Sequence, residues 1–384
     1  MDFATEREAM VTLLRQRQDV SEPVAEAMRA VPRHLFVPGV DPGEAYQDGP
    51  IVTKRDADGL PISSSSQPAI MAIMLDQLGV EPGHRVLEIG AGTGYNAALL
   101  ARLAGPDGRV VSVDIDEDLA AQAREHLAAA GESGVEVVCA DGAGGHPGLA
   151  PYDRLIATVG VWDLAPAWLE QLKPDGRLVV PLDLRGVQVS VAMEREDGHW
   201  VSRSVAPCGF MRMRGPYAGP EVLTVLRRDP ELMLGLPERR ELGDVLAALD
   251  AVPTEITTKV EEPAPGPVIG MGMSMWLALH EPRWCVLSGQ TPTGPTMTVG
   301  IAEDDSIAVL AAEDFLVARG HGAGGARLAA ELAGHVTAWD EAGRPHAGDL
   351  RVVAYPGQAD AGAPEGIVIR KRHTTLVVSL RRGR

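Results

Sequence analysis

Val86-Leu-Glu-Ile-Gly-Ala-Gly-Thr-Gly-Tyr95 is an apolar run that breaks into three alternate glycines, Gly90, Gly92 and Gly94. Val110-Val-Ser-Val-Asp-Ile-Asp116 is a second apolar run, and its acid Asp114 follows the last glycine by about 20 residues. Together they read as strand, tight turn, helix, strand, acid. Glycines let the backbone come close to a ligand, and an acid at the end of the next strand accepts hydrogen bonds from ribose hydroxyls. The pattern is G-x-G-x-G with Glu88 two residues ahead, not the G-x-G-x-x-G of dinucleotide sites. A plain glycine turn with no ligand and a NAD or FAD site are the competing readings.

Alternating runs continue on both sides of this core. Strands are expected at 85–89, 109–114, 135–139 and 154–158, with helices over 68–78, 94–104, 117–130 and 166–172 and a late strand pair at 176–181 and 187–193. This predicts an α/β fold, a mostly parallel doubly wound Rossmann-like sheet covered on both faces. Ligands bind at the carboxyl ends of such strands, where Gly90, Asp114, Asp141 and Thr158 fall. Thr5 is expected to cap an N-terminal helix, residues 59–68 to form a polar loop, and Asp163 to cap the helix at Pro166. Beyond residue 220 the pattern changes. Helices are expected near 228–235 and 238–250, then Pro263-Ala-Pro-Gly-Pro267, a helix over 323–332 and strands near 350–355 and 366–380. The chain therefore divides into domains 1–220 and 221–384, the second a smaller mixed α/β domain.

The 384 residues carry a net charge of −18 and 45% hydrophobic residues. That charge argues against nonspecific binding to nucleic acid or an anionic membrane. Three cysteines, Cys139, Cys208 and Cys285, form no C-x-x-C pair, and no apolar run is long enough to span a bilayer. The expectation is a cytoplasmic protein with no resident metal.

Further motifs carry a resemblance. Pro32-Arg33-His-Leu-Phe36-Val-Pro38, Ala45-Tyr46-Gln-Asp48, Ser64-Ser-Ser66-Gln67-Pro68, Asp141-Gly142 and Gln171-Leu-Lys-Pro-Asp-Gly176-Arg-Leu-Val-Val-Pro181 stand in order along the first 220 residues. With the glycine turn, this set resembles the protein-L-isoaspartate O-methyltransferase family, which uses S-adenosylmethionine (SAM). The resemblance implies that Glu88, Gly90, Ala91, Gly92 and Gly94 line the cofactor site. It implies further that Asp114 and Ile115 hold the ribose, that Asp141 and Gly142 lie beside the adenine, and that Thr158 closes the site. Ser66, with Ser65 and Ser64, is implied at the reacting carboxylate.

The family methylates the carboxylate of isoaspartyl residues in damaged proteins, and the ester then closes to a succinimide. Two departures favour a C-terminally extended branch that modifies ribosomally made natural-product peptides. Position 65 is a serine where the family has an apolar residue, and the chain runs far past the usual single domain. The expected substrate is then an aspartate in a modified precursor peptide, leading to aspartimide or isoaspartate, with the extension gripping that peptide. Repair is the alternative. A noncatalytic SAM-fold peptide-binding protein and a small-molecule methyltransferase are the competing classes.

A carboxylate with a pKa near 4 is already ionised at neutral pH, so no general base is required. The protein must orient and partly desolvate the reactants. Other residues have plainer readings. Arg33 and His34 are expected to anchor an N-terminal lid. Arg203, Arg212, Arg214 and the basic tail Arg370-Lys-Arg372 are expected at solvated surface. Met271, Met273 and Met275 are expected on a buried strand face.

Overall fold

In the computed structural model, residues 3–57, 59–262, 268–292, 294–357 and 365–381 are described. They form two compact units. The first holds Met1–Asp183, Gln188–Gly219 and Arg351–Ser379, and the second holds Leu184–Val187 and Pro220–Leu350. The expected single boundary at residue 220 therefore needs correction. The chain leaves the first unit there, but residues 351–379 return to it.

The first unit is built on a ten-stranded sheet. Its order is Ile367–Arg370, Thr374–Leu380, Leu350–Pro356, His199–Pro207, Gln188–Glu196, Leu172–Asp183, Tyr152–Ala157, Arg85–Ile89, Arg109–Asp114, Val135–Cys139. The last five are parallel. Val86, Leu87, Val110, Val111, Leu155 and Ile156 are at most 2% exposed, as strands covered on both faces require. Strand order reverses between Arg85–Ile89 and Tyr152–Ala157, so the topological switch point lies at Gly90 and Thr158.

Local chemistry sets the helix ends. Pro68 opens Pro68–Leu78 at a position that needs no N–H, and Gly79 closes it in the left-handed conformation at φ +60°. Asp116 caps Glu117–Ala129 by accepting from Leu119 N. Three local expectations fail. The first helix, Ala4–Arg17, starts before Thr5 and is preceded by Phe3. Pro61–Ser65 is a strand, not a loop, paired with Ile51–Arg55. The helix Pro166–Gln171 is preceded by Ala165, and Asp163 points elsewhere.

The second unit is a sheet whose antiparallel order is Val222–Arg228, Glu231–Leu236, Trp284–Thr291, Gly294–Glu303, Ser306–Ala312, Leu316–His321, Thr254–Thr257, with Val268–Ile269 paired in parallel to Gly294–Glu303. The helix Gly325–Glu341 packs on one face. Alternation along Ser306–Ala312 sends Ala308 and Leu310 to that helix and Ile307 and Val309 to a smaller cluster with Leu234, Val245 and Cys285. Residues expected as a helix at 228–235 pair instead as strands through Arg228 and Glu231. Of the expected helix at 238–250 only Val245–Leu249 forms. Met271, Met273 and Met275 lie on a short 3-10 turn and the helix Ser274–His280, not on a strand. The proline segment 263–267 lies outside the described residues. No helix among the described residues is long and apolar enough to cross a membrane.

Candidate active site

The carboxyl ends of the parallel strands open into a cleft lined by the turn after Arg85–Ile89, the end of Arg109–Asp114 and the loop after Val135–Cys139. Its floor is the glycine turn. Gly90, Gly92 and Gly94 have φ of +99°, +52° and +87°. A side chain at Gly90 would meet Thr158 Oγ1 and Val159 Cγ1 at 2.9 Å, across the switch point. One at Gly94 would press on the Ala123 backbone at 3.2 Å. Gly90 therefore keeps the cleft open, whereas Gly94 serves helix packing and does not line it.

Asp114 holds this turn in place. One carboxylate oxygen accepts from Gly92 N at 2.9 Å and the other from Asp116 N at 3.0 Å. Two backbone donors leave further lone pairs for hydroxyls in the cleft. Asp116 pairs with Lys54 at 2.7 Å and Arg214 at 3.2 Å. Burial opposes its ionisation, but the bonds from Lys54, Leu119 N and Arg214 outweigh it and hold the carboxyl below its usual range.

Glu88 does not line the cleft, contrary to expectation. It is fully buried and accepts from Ser112 Oγ at 2.5 Å and Asn96 Nδ2 at 2.8 Å. Burial raises its pKa to about 7. It acts through Asn96, which does face the cleft.

The serine strand forms a wall over the turn, with Ser64 O only 3.8 Å from where a Gly92 side chain would begin. Ile62, Ser63, Ser64 and Ser66 all line the cleft, and the Ser63 hydroxyl accepts from Thr53 Oγ1 at 3.0 Å. Ser64 and Ser66 face the cleft, and among the described residues their hydroxyls take no partner. Ser65 is 2% exposed and its hydroxyl accepts from Arg33 at 3.3 Å, so it does not reach the site. Arg33 is wholly buried and donates to the carbonyls of Ala45, Gln47, Gly49, Ser65 and Ser66. Burial lowers its pKa, yet these acceptors make it the clamp that fixes the serine strand to the Tyr46 loop. His34 bonds Tyr46 OH at 2.8 Å, so the anchoring role expected of both residues fits the contacts.

The cleft thus brings together Ser64, Ser66, Gly90, Ala91, Gly92, Asp114, Ile115, Asp141, Gly142 and Thr158, and leaves out Ser65, Glu88 and Gly94. Sequence reasoning missed the segment Phe210–Arg214, which lines the remaining side. It joins by an isolated bridge, with Gly160 N donating to Met211 O at 2.8 Å and Met213 N to Gly160 O at 2.9 Å. Arg212 and Arg214 therefore line the cleft and are not merely solvated surface. No periodic pattern marks so short a pairing.

Comparison with known proteins agrees with this geometry. Residues 5–216, more than half of the chain, match the family model for protein-L-isoaspartate(D-aspartate) O-methyltransferase (PCMT). The chain belongs to this family. The protein-L-isoaspartate O-methyltransferase 2 of Archaeoglobus fulgidus is 39% identical over 221 residues, covering 56% of this chain and 96% of the relative. The Thermotoga maritima protein-L-isoaspartate O-methyltransferase is 35% identical over 239 residues, covering 62% and 73%. A solved structure of a protein-L-isoaspartate O-methyltransferase matches with a TM-score of 0.54 at 26% identity, over 90% of this chain and 96% of its own.

The chain is a SAM-dependent carboxyl O-methyltransferase. The cleft fits that cofactor. The open glycine turn admits a close ligand, Asp114 offers acceptors to a ribose, and Ile115, Asp141 and Gly142 line the same cleft. Asp141 is fixed by accepting from Ala143 N at 3.0 Å.

Proposed function

We propose that this enzyme methylates the free carboxylate of isoaspartyl residues in peptides and proteins, the repair-type reaction. The observation that carries this reading is Ser66, which lines the cofactor cleft just past the strand Pro61–Ser65 and whose carbonyl is held by buried Arg33. SAM supplies an electrophilic methyl on a sulfonium. The acceptor carboxylate is ionised at neutral pH and needs no base. Ser66 donates to one carboxylate oxygen and leaves the other free to attack. A cation in its place would also stabilise the ground-state anion and work against the rate.

Two features favoured a dedicated natural-product substrate, and both lose weight. Ser65, the position that departs from the family, is turned away and bonded to Arg33, so it cannot reshape the acceptor site. The C-terminal extension has a structural counterpart, since the solved protein-L-isoaspartate O-methyltransferase spans 90% of this chain. Length therefore does not separate a tailoring enzyme from a repair enzyme. In the same reading, Pro220–Leu350 is the part that grips the peptide chain.

The test uses two unstructured peptides identical except for Asp or isoAsp at one site, incubated with SAM and read by mass spectrometry. Methyl-ester gain, or water loss through the succinimide, on the isoAsp peptide alone supports the proposal. No change in either peptide while SAM binds would overturn it and point to a dedicated modified precursor.

A further inference from the structure

The segment 208–219 crosses the cofactor cleft as a strap whose two halves are held differently. The first half is fixed by the bridge to Gly160 and by Gln188, which bonds both N and O of Phe210 at 2.8 and 3.1 Å. The second half leans on the returning C-terminal strands. Arg372 donates to Pro216 O at 3.0 Å, and the Tyr217 ring stacks on His373 at 5.4 Å and 21°.

The turn that carries Arg372 and His373 is itself pinned in the methyltransferase core. Asp163, 1% exposed, accepts from His373 N and from Thr374 Oγ1. Lys371, 5% exposed, pairs with Asp183, 2% exposed, at 3.0 Å. Trp162 lies under the cations of Lys371 and Arg372 at 5.2 and 5.9 Å. Two buried carboxylates at the carboxyl ends of Tyr152–Ala157 and Leu172–Asp183 thus serve a turn about 200 residues away in sequence. Burying a carboxylate is costly unless it is paired, so this anchorage is rigid.

We propose that the turn Lys371–Thr374 is a latch that positions the strap over the adenosine half of the cofactor cleft. Gly215, at φ +84°, brings the strap against Ile115, with a side-chain position 3.0 Å from Ile115 Cδ1 and 4.0 Å from Asp141 Oδ2. Arg214 next to it binds Asp116. Residues of the strap that meet Ile115 and Asp141 are therefore set by residues 371–374, outside the 5–216 span of the family model. His373 and Arg372 are positioning residues, acting through Tyr217 and Pro216.

The inference rests on the cofactor cleft and not on the choice of peptide, so this test and the peptide assay fail separately. The full-length Arg372→Ala/His373→Ala variant is titrated with S-adenosylhomocysteine by calorimetry, and trypsin cleavage after Arg212 and Arg214 is followed. Losing one hydrogen bond, one ring stack and the Arg372–Trp162 contact is expected to weaken binding about tenfold. Cleavage of the strap should quicken while the unfolding midpoint stays near that of the parent. His373→Phe, which keeps a stacking ring, should bind like the parent when Arg372 is intact. Tyr217→Leu breaks the stack from the strap side and leaves the turn whole, so it should mimic the loss. Unchanged affinity and unchanged strap cleavage in both the double variant and Tyr217→Leu would overturn the latch.

Discussion

Asp114 accepts the backbone N–H of Gly92 at 2.9 Å, so the acid meant for the ribose and the turn meant for the methionine end are one rigid piece. Asp114→Asn keeps the size and one acceptor oxygen but loses the charge. The turn should persist, since backbone bonds from Gly90 and Ala91 to Val113 O remain. S-adenosylhomocysteine binding should weaken at least about tenfold, because hydrogen bonds to a charged acceptor are worth about 1.5–3 kcal/mol. Calorimetry on the folded variant checks this, and an unchanged Kd would remove Asp114 from the cofactor site.

Neighbouring serines should behave oppositely. Ser66→Ala removes the hydroxyl proposed to hold the acceptor and should lower kcat/KM for an isoaspartyl peptide by roughly tenfold or more, with cofactor affinity unchanged. Ser65→Ala leaves the cleft alone and strips Arg33 of one acceptor. It should cost about 1 kcal/mol of stability and leave turnover nearly intact. Steady-state kinetics paired with urea unfolding separates the two.

Arg33 should tolerate no replacement. Its planar fork reaches five carbonyls, and a lysine ammonium cannot span them. Arg33→Lys and Arg33→Met should both destabilise the fold by about 3 kcal/mol or more, since each leaves buried carbonyls unpaired. Peptide KM should rise as the serine strand loosens, which kinetics below the unfolding temperature would register.

The nucleotide half of this site was legible in sequence because its signals are local. Continuous Val, Leu and Ile runs mark strands buried on both faces, and Gly90 to Asp114 sit a fixed distance apart. The serine wall was legible only through resemblance, and which hydroxyls are already engaged shows only in their contacts, Ser63 with Thr53 and Ser65 with Arg33. Asp163 read as a helix cap because Pro166 follows it, whereas its partners are His373 and Thr374, which no local pattern can indicate. Leu232 and Leu234 were misread as helical because Leu and Met favour helices, although their spacing of two fits the observed strand.

Truncating the chain after Pro220, where the domain was expected to end, should fail to give a stable methyltransferase. It removes one of the two partners of strand His199–Pro207, uncovers the Val201 cluster with Val353 and Val377, and strips Asp163 and Asp183 of partners. Unpaired buried charges cost several kcal/mol. Excising 220–350 and joining the ends with a flexible linker should instead preserve the first unit. Thermal unfolding of the two shortened chains tests this, and a truncated chain as stable as the excised one would refute it.

Glu88 gives stability a specific pH dependence. Burial lifts its pKa from 4.5 to about 7 in the folded chain. Below pH 4.5 the carboxyl is protonated in both states and contributes nothing. Between 4.5 and 7 the unfolded chain releases the proton while the fold retains it, so stability falls as pH rises. Above 7 both states are ionised, and a constant penalty of about 3 kcal/mol remains. Glu88→Gln keeps the shape and can serve Ser112 and Asn96 without charge. It should therefore match the parent near pH 4 and exceed it at pH 8, with the gap opening between pH 4.5 and 7. Urea unfolding across that range reads the difference directly, and parallel curves for parent and variant would mean that Glu88 is ionised at no cost.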